Sequence, residues 1–143
     1  MFSGVFDQTV DGYEKTFAVN HLAHHYLTSL LTPMLTSTAS QEYPGRIVYV
    51  SSDIHPLVKS SLFPMPSALD IEKSYSMFPA YARSKLANIL DSRKWAKQLE
   101  QQNVLVNAVH PGSIYTGIFN SNAKGLWYAP IVVPLAKAMG KVL

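Results

Sequence analysis

The stretch Arg46-Ile47-Val48-Tyr49-Val50-Ser51-Ser52, RIVYVSS, decides the fold. Its apolar, β-branched run over 46–51 is too short for a helix and too apolar for a surface loop, so it reads as a buried strand. A polar run from Ser37, closed by the turn signal Pro44-Gly45, sets its start. Val104-Leu105-Val106-Asn107-Ala108-Val109 has the same character and stops at His110-Pro111-Gly112. Around these strands the apolar period becomes helical. Phe17, Leu22, Tyr26, Leu27, Leu30, Leu31 and Leu35 predict a helix from about Glu14 to Leu35. Leu86, Ile89, Leu90, Trp95 and Leu99 predict a second over 80–102, and a third is expected within 126–142. Residues 53–79, with prolines at 56, 64, 66 and 79, read as irregular.

Helix, strand, helix, strand, helix is the order of an α/β layered fold with a parallel sheet. Strands apolar on both faces expect helices above and below and strand neighbours on each side, which two strands alone do not satisfy. Either residues 1–13 hold a further strand, or these 143 residues are a portion of a larger sheet. The second reading is favoured.

A hydrophobic content of 48% against 15% charge excludes a disordered chain. The net charge of +3, with no basic cluster longer than Arg93-Lys94, argues against a nucleic-acid partner. With no cysteine there are no disulfides and no thiolate metal sites. That fits an intracellular chain, cytoplasmic or at an organelle membrane surface. The residues after Met1 show no secretory signal. The apolar stretch around 126–136 is broken by Pro130 and Pro134 and is too short to span a bilayer; it is suited to a core helix, a docking surface or contact with a membrane surface. His21, His24 and His25 share helical spacing, but no third ligand is identifiable and no metal site is expected.

Chemistry gathers at the strand ends. Ligands of open parallel sheets bind at the carboxyl ends of strands, where this chain places Ser51-Ser52 and Pro111-Gly112. The following helix carries AYARSKLANIL over 80–90, with Tyr81 and Lys85 at the i,i+4 spacing that shares a helix face. A free tyrosine titrates near ~10, so acting as a base near neutrality requires roughly 3–4 kcal/mol. One ammonium about 4 Å away supplies about 4 kcal/mol at an effective dielectric near 20. Lys85 is therefore large enough an effect to lower the Tyr81 pKa.

In VNHLAHHYL (19–27), RIVYVSS (46–52), AYARSKLANIL (80–90) and VNAVHPG (106–112), in that order, the chain resembles the short-chain dehydrogenases/reductases. The wording is most similar to the retinol-dehydrogenase and WW-domain-oxidoreductase branch. The resemblance covers about residues 8–120 and implies a partial Rossmann-like three-layer fold. It assigns Tyr81 as the general acid/base on the substrate oxygen. Lys85 holds the nicotinamide ribose and lowers the tyrosine pKa. Ser52 binds the substrate carbonyl, and Asn20 supports a water-linked proton relay to the lysine. Pro111, Gly112 and Thr116 join Tyr81 and Lys85 in binding the cofactor.

The resemblance further implies NADP or NAD as cofactor and a small lipophilic alcohol or carbonyl as substrate. It also implies a homodimer through the helices over 14–35 and 80–102. The glycines, at 4, 12, 45, 112, 117, 125 and 140, make no G-x-G-x-x-G or G-x-x-x-G-x-G turn for a pyrophosphate. Residues 1–143 are therefore expected to be the catalytic half of such a domain, binding the dinucleotide weakly by themselves. The alternative is a truncated, inactive product that docks on a full-length relative.

Overall fold

In the computed structural model, which describes residues 3–58, 72–73 and 75–112, two strands lie side by side in parallel. They are β1 (Gly45–Val50) and β2 (Val104–Val109), in register from Gly45 opposite Val104 to Val50 opposite Val109. Beyond the ladder, Ser51 N–H donates to Val109 O at 2.8 Å, so both strands release their chains at one end.

Before β1 runs one continuous helix made of α1 (Lys15–Phe17), a π-helical stretch (Ala18–Leu22) and α2 (Ala23–Thr38). A 3₁₀ turn (His55–Leu57) follows β1, and α3 (Met77–Gln98) leads towards β2. The Glu14 carboxylate opens the first helix by accepting from Thr16 N–H at 2.7 Å and Phe17 N–H at 2.8 Å, satisfying donors that have no helical partner. α3 starts earlier than the sequence predicts because Pro79 sits within its first turn, where a missing N–H costs nothing. It ends earlier too, and Asn103, at φ +53, turns the chain into β2 in the left-handed region that asparagine tolerates.

Both helices pack on the same face of the sheet. Ile47, Tyr49, Leu99 and Val104 form the buried core, joined by Leu35, Ala39, Trp95, Val106 and Ala108. The expectation of helices on both faces meets only this one layer among the described residues. Val48 is 55% exposed and Val50 51%, with Leu105 and Val109 also open. Their apolar character fits a second covering that the described residues do not supply. Residues 3–13 hold no strand, only an isolated antiparallel bridge between Gln8 and Glu14. The helix expected within 126–142 lies outside the described residues.

A buried polar knot fastens the layers. The His25 ring Nδ1 lies 2.9 Å from both Asp91 oxygens. The Tyr49 hydroxyl donates to Asp91 Oδ2 at 2.9 Å and lies 3.0 Å from Thr28 Oγ1. α2, β1 and α3 thus meet on one carboxylate. Burial, joined by the neighbouring carboxylate, pushes the Tyr49 phenol up to about 12. Asp91→Ala should lower stability by roughly 1–3 kcal/mol, because it removes the shared acceptor of the Tyr49 hydroxyl and the His25 ring and leaves the hydroxyl only Thr28. Urea unfolding should show a lower midpoint at unchanged m-value; an unchanged midpoint would mean that water replaces the carboxylate without loss.

Candidate active site

Where β1 ends, two serines point to different partners. Ser51 is buried, and its hydroxyl donates to Lys85 O at 2.9 Å, fixing the strand end to the middle of α3. Ser52 Oγ donates to Asp53 Oδ1 at 3.2 Å and accepts from Ile54 N–H at 3.4 Å. The His55 ring Nδ1 meets Ser52 O at 2.7 Å. From the end of β2, His110 Nε2 comes within 3.5 Å of Asp53 Oδ2. The two strand ends therefore share the Asp53 carboxylate.

α3 carries Tyr81 and Lys85 to the same end. The Lys85 ammonium stands 5.4 Å from the Tyr81 ring centroid and donates to Val50 O at 3.0 Å. The Tyr81 phenol is hydrogen-bonded with the Ser52 side chain. Its pKa lies above the usual value: burial is the largest cause, Asp53 adds to it, and the Ser52 bond opposes it. Lys85, expected to lower the Tyr81 pKa, is not among these causes. The ammonium lies over the ring, bonded to a backbone carbonyl, and its own pKa is lowered by burial.

Asn20 lies in the π-helical stretch, where Ala23 N–H reaches back to Ala18 O. It is buried, and its Nδ2 donates to Ser84 Oγ at 3.1 Å; that hydroxyl donates to Tyr81 O at 2.7 Å. The Asn20 carbonyl accepts from Asn88 Nδ2 at 3.1 Å, and the same amide donates to Val50 O at 3.2 Å. Asn20 and Lys85 are thus joined through Asn88 and the Val50 carbonyl. A cavity of about 390 Å³ opens beside this network, lined by Asn20, Lys85, Asn88, His24 and Thr28 against residues 47–50.

Pro111 and Gly112 follow β2 at this end, exposed, and Gly112 adopts φ +87, which favours glycine. Thr116 lies outside the described residues. The structure so brings Asn20, Ser52, Tyr81 and Lys85 into one hydrogen-bonded neighbourhood and sets Pro111 and Gly112 at the neighbouring strand end.

Sequence reasoning missed Asn88, Ser84, Asp53 and Arg83. Asn88 had a signal: it is a polar residue inside the apolar run LANIL, one helical turn beyond Lys85. Arg83 had none. It is buried, which lowers its pKa, while the Glu14 charge, far away in sequence, acts the other way. The histidines of the first helix also find partners: His21 Nδ1 lies 3.0 Å from Asn88 Oδ1, and His25 meets Asp91.

Comparison with known proteins identifies the family. The short chain dehydrogenase family matches residues 3–127. Retinol dehydrogenase 14 of Mus musculus is 42% identical over 118 residues, covering 82% of this chain and 33% of that protein. The WW domain-containing oxidoreductase of Gallus gallus is 37% identical over 137 residues, covering 93% of this chain and 31% of that protein. The chain therefore spans about a third of the length of the curated relatives it matches. Among solved structures, a Pseudomonas aeruginosa RhlG/NADP active-site complex superposes with a TM-score of 0.57 at 24% identity, covering 86% of this chain and 44% of that one. At that identity the likeness shows the fold alone.

The buried edge of the network titrates. His21 has a pKa below the usual histidine value; burial is the largest cause, opposed by the Asn88 bond and the Asp91 charge. The unfolded chain therefore binds the proton first as pH falls through about 6.5, and the folded state binds it later. Stability should decline from there down to the lowered folded pKa, and His21→Gln should flatten that part of the profile. Urea midpoints across that pH window check it; an identical slope in the variant would assign the loss to other groups.

Proposed function

Since the chain belongs to the short-chain dehydrogenase/reductase family, in the branch of retinol dehydrogenases and WW domain-containing oxidoreductases, we propose that it is the catalytic part of an NAD(P)-dependent oxidoreductase. It interconverts an alcohol and a carbonyl on a small lipophilic substrate. The observation that carries this reading is the meeting of Ser52, Tyr81 and Lys85 at the carboxyl ends of two parallel strands, with the phenol bonded to Ser52 and its pKa raised.

A tyrosine whose pKa lies above ~10 is protonated at neutrality, so Tyr81 is set to give its proton to a carbonyl oxygen as that oxygen gains charge. Ser52 exchanges its bond to Asp53 for one to the substrate oxygen and orients the carbonyl. In the reverse direction Tyr81 takes the alcohol proton, and Lys85 stabilises the resulting phenolate. Tyr81 and Lys85 supply donors suited to ribose hydroxyls. Among the described residues, no heavy atom lies within 4 Å of where a Gly112 Cβ would stand. These residues fit the nicotinamide-ribose end of a dinucleotide, NADP or NAD, whereas the sequence has no glycine-rich turn for its pyrophosphate. The dinucleotide, when bound, supplies or accepts the hydride.

A second reading has its own observation. Tyr26, Leu27, Leu30, Leu31 and Met34 on α2 are all exposed, at spacings that place them on one side of the helix. Such a stripe suits a homodimer, a full-length relative or a membrane surface, and a chain serving that role needs no turnover.

The experiment captures the native protein with an antibody to residues 80–102 and measures its mass and its NAD(P)H-dependent reduction of a retinoid-type aldehyde. Turnover that falls on the order of 10²–10⁴-fold in Tyr81→Phe supports the enzyme. A native mass of 15.9 kDa, no turnover, and association with a relative that survives Tyr81→Phe would replace it with the docking role.

A further inference from the structure

Asn88 is nearly sealed from solvent, at 3% exposure, yet its amide is fully used. Nδ2 has two hydrogens, and each has an acceptor: Asn20 O at 3.1 Å and Val50 O at 3.2 Å. Both partners are carbonyls and accept only, so the amide has one allowed orientation. Reversed, it would press Oδ1 against two carbonyl oxygens and leave its hydrogens without acceptors there. With Nδ2 fixed, Oδ1 faces the His21 ring Nδ1 at 3.0 Å. An amide oxygen accepts only, so the neutral His21 ring carries its proton on Nδ1.

The network reaches the reacting groups by two routes. Val50 O also takes the Lys85 ammonium at 3.0 Å, so Asn88 and Lys85 share one acceptor. The Asn20 residue whose carbonyl Asn88 holds is bonded through Ser84 to the backbone of Tyr81. The amide therefore ties the π-helical stretch, the end of β1 and the middle of α3 at the level of Tyr81 and Lys85.

We propose that Asn88 is a positioning residue for Lys85 and Asn20, and that His21, in its Nδ1–H form, sets the direction of the Asn88 amide. This rests on the oxidoreductase reading of the same site. Asn88 touches neither substrate nor cofactor; it acts by holding the carbonyl on which the Lys85 ammonium rests. His21 lies next in chain to Asn20, in the same π-helical stretch, so its ring and the Asn20 carbonyl reach one side chain together.

Two readouts test it. Nitrogen NMR of the protein labelled in its histidine rings should show His21 as the Nδ1–H tautomer at neutral pH. Asn88→Leu, close in volume but without an amide, should convert it to the Nε2–H form or a mixture. Kinetics of carbonyl reduction should show a drop in kcat for Asn88→Leu on the order of 10²-fold, with KM little changed, as for misplaced reacting groups. If Asn88→Leu does not fold, His21→Phe and His21→Gln carry the test. The glutamine side chain still donates to Asn88 Oδ1, so His21→Gln should regain most of the kcat that His21→Phe loses.

A His21 ring protonated on Nε2 in the unmodified protein would overturn the proposal, as would equal kcat in His21→Phe and His21→Gln. If the native protein captured from its source shows no turnover at all, the oxidoreductase reading fails, and the histidine tautomer with its response to Asn88→Leu still decides whether the amide is held as described.

Discussion

One backbone carbonyl, that of Val50 at the end of β1, organises this molecule. It accepts from the Lys85 ammonium at 3.0 Å and from the Asn88 amide at 3.2 Å. Parallel pairing brings β1 and β2 to an end together, and the helix between them must return over their shared face. The Val50 carbonyl gives that helix a fixed point from which Tyr81 and Lys85 are measured. The reciprocal bond from Ser51 Oγ to Lys85 O closes the attachment, so strand end and helix hold each other by side chain and backbone alike. A long cationic side chain would otherwise sample many rotamers at an entropic cost. Here its end is docked before any reaction begins.

The electrostatics of the site divide by depth. Tyr81 and Lys85 are both shifted towards their neutral forms by burial, which opposes what an ion pair between them would do. The contribution of Asp53 has the same sign on Tyr81. Close charges were expected to dominate because Coulomb's law at 4 Å is large. The geometry puts the ammonium over the ring and on a carbonyl instead, and desolvation then outweighs attraction.

Much of the fold was legible because it rests on local pattern. The run over 46–51 and its partner over 104–109 became strands within one residue of their expected limits. Asn20, Ser52, Tyr81 and Lys85 were singled out because family wording marks them, and the structure gathers them at the strand ends and along one helix face. The unread parts depend on contacts between distant residues. Nothing in KTFAVNHL announces a π-helical stretch, since its i→i+5 bonding serves partners on α3 that the local sequence does not contain. Arg83, on which the local sequence gave no signal, is buried and feels the Glu14 charge from far away in the chain. Val48 and Leu105 looked like core residues and are exposed, because apolar character records a need for cover and not which segment provides it.

The π-helical stretch has a consequence for how the chain tolerates changes in length. It accommodates one residue more per turn than an ordinary helix allows, and it does so between two anchored ends: the Glu14 cap on one side and the His25–Asp91 contact on the other. Closing the stretch into regular α geometry with the same number of residues would rotate one anchor by about 100° relative to the other, whereas losing one residue there would leave the two anchors nearly in phase. The stretch works as a phase adjuster, letting the cap beside Arg83 and the histidine beside Asp91 face the same neighbouring helix along one unbroken rod.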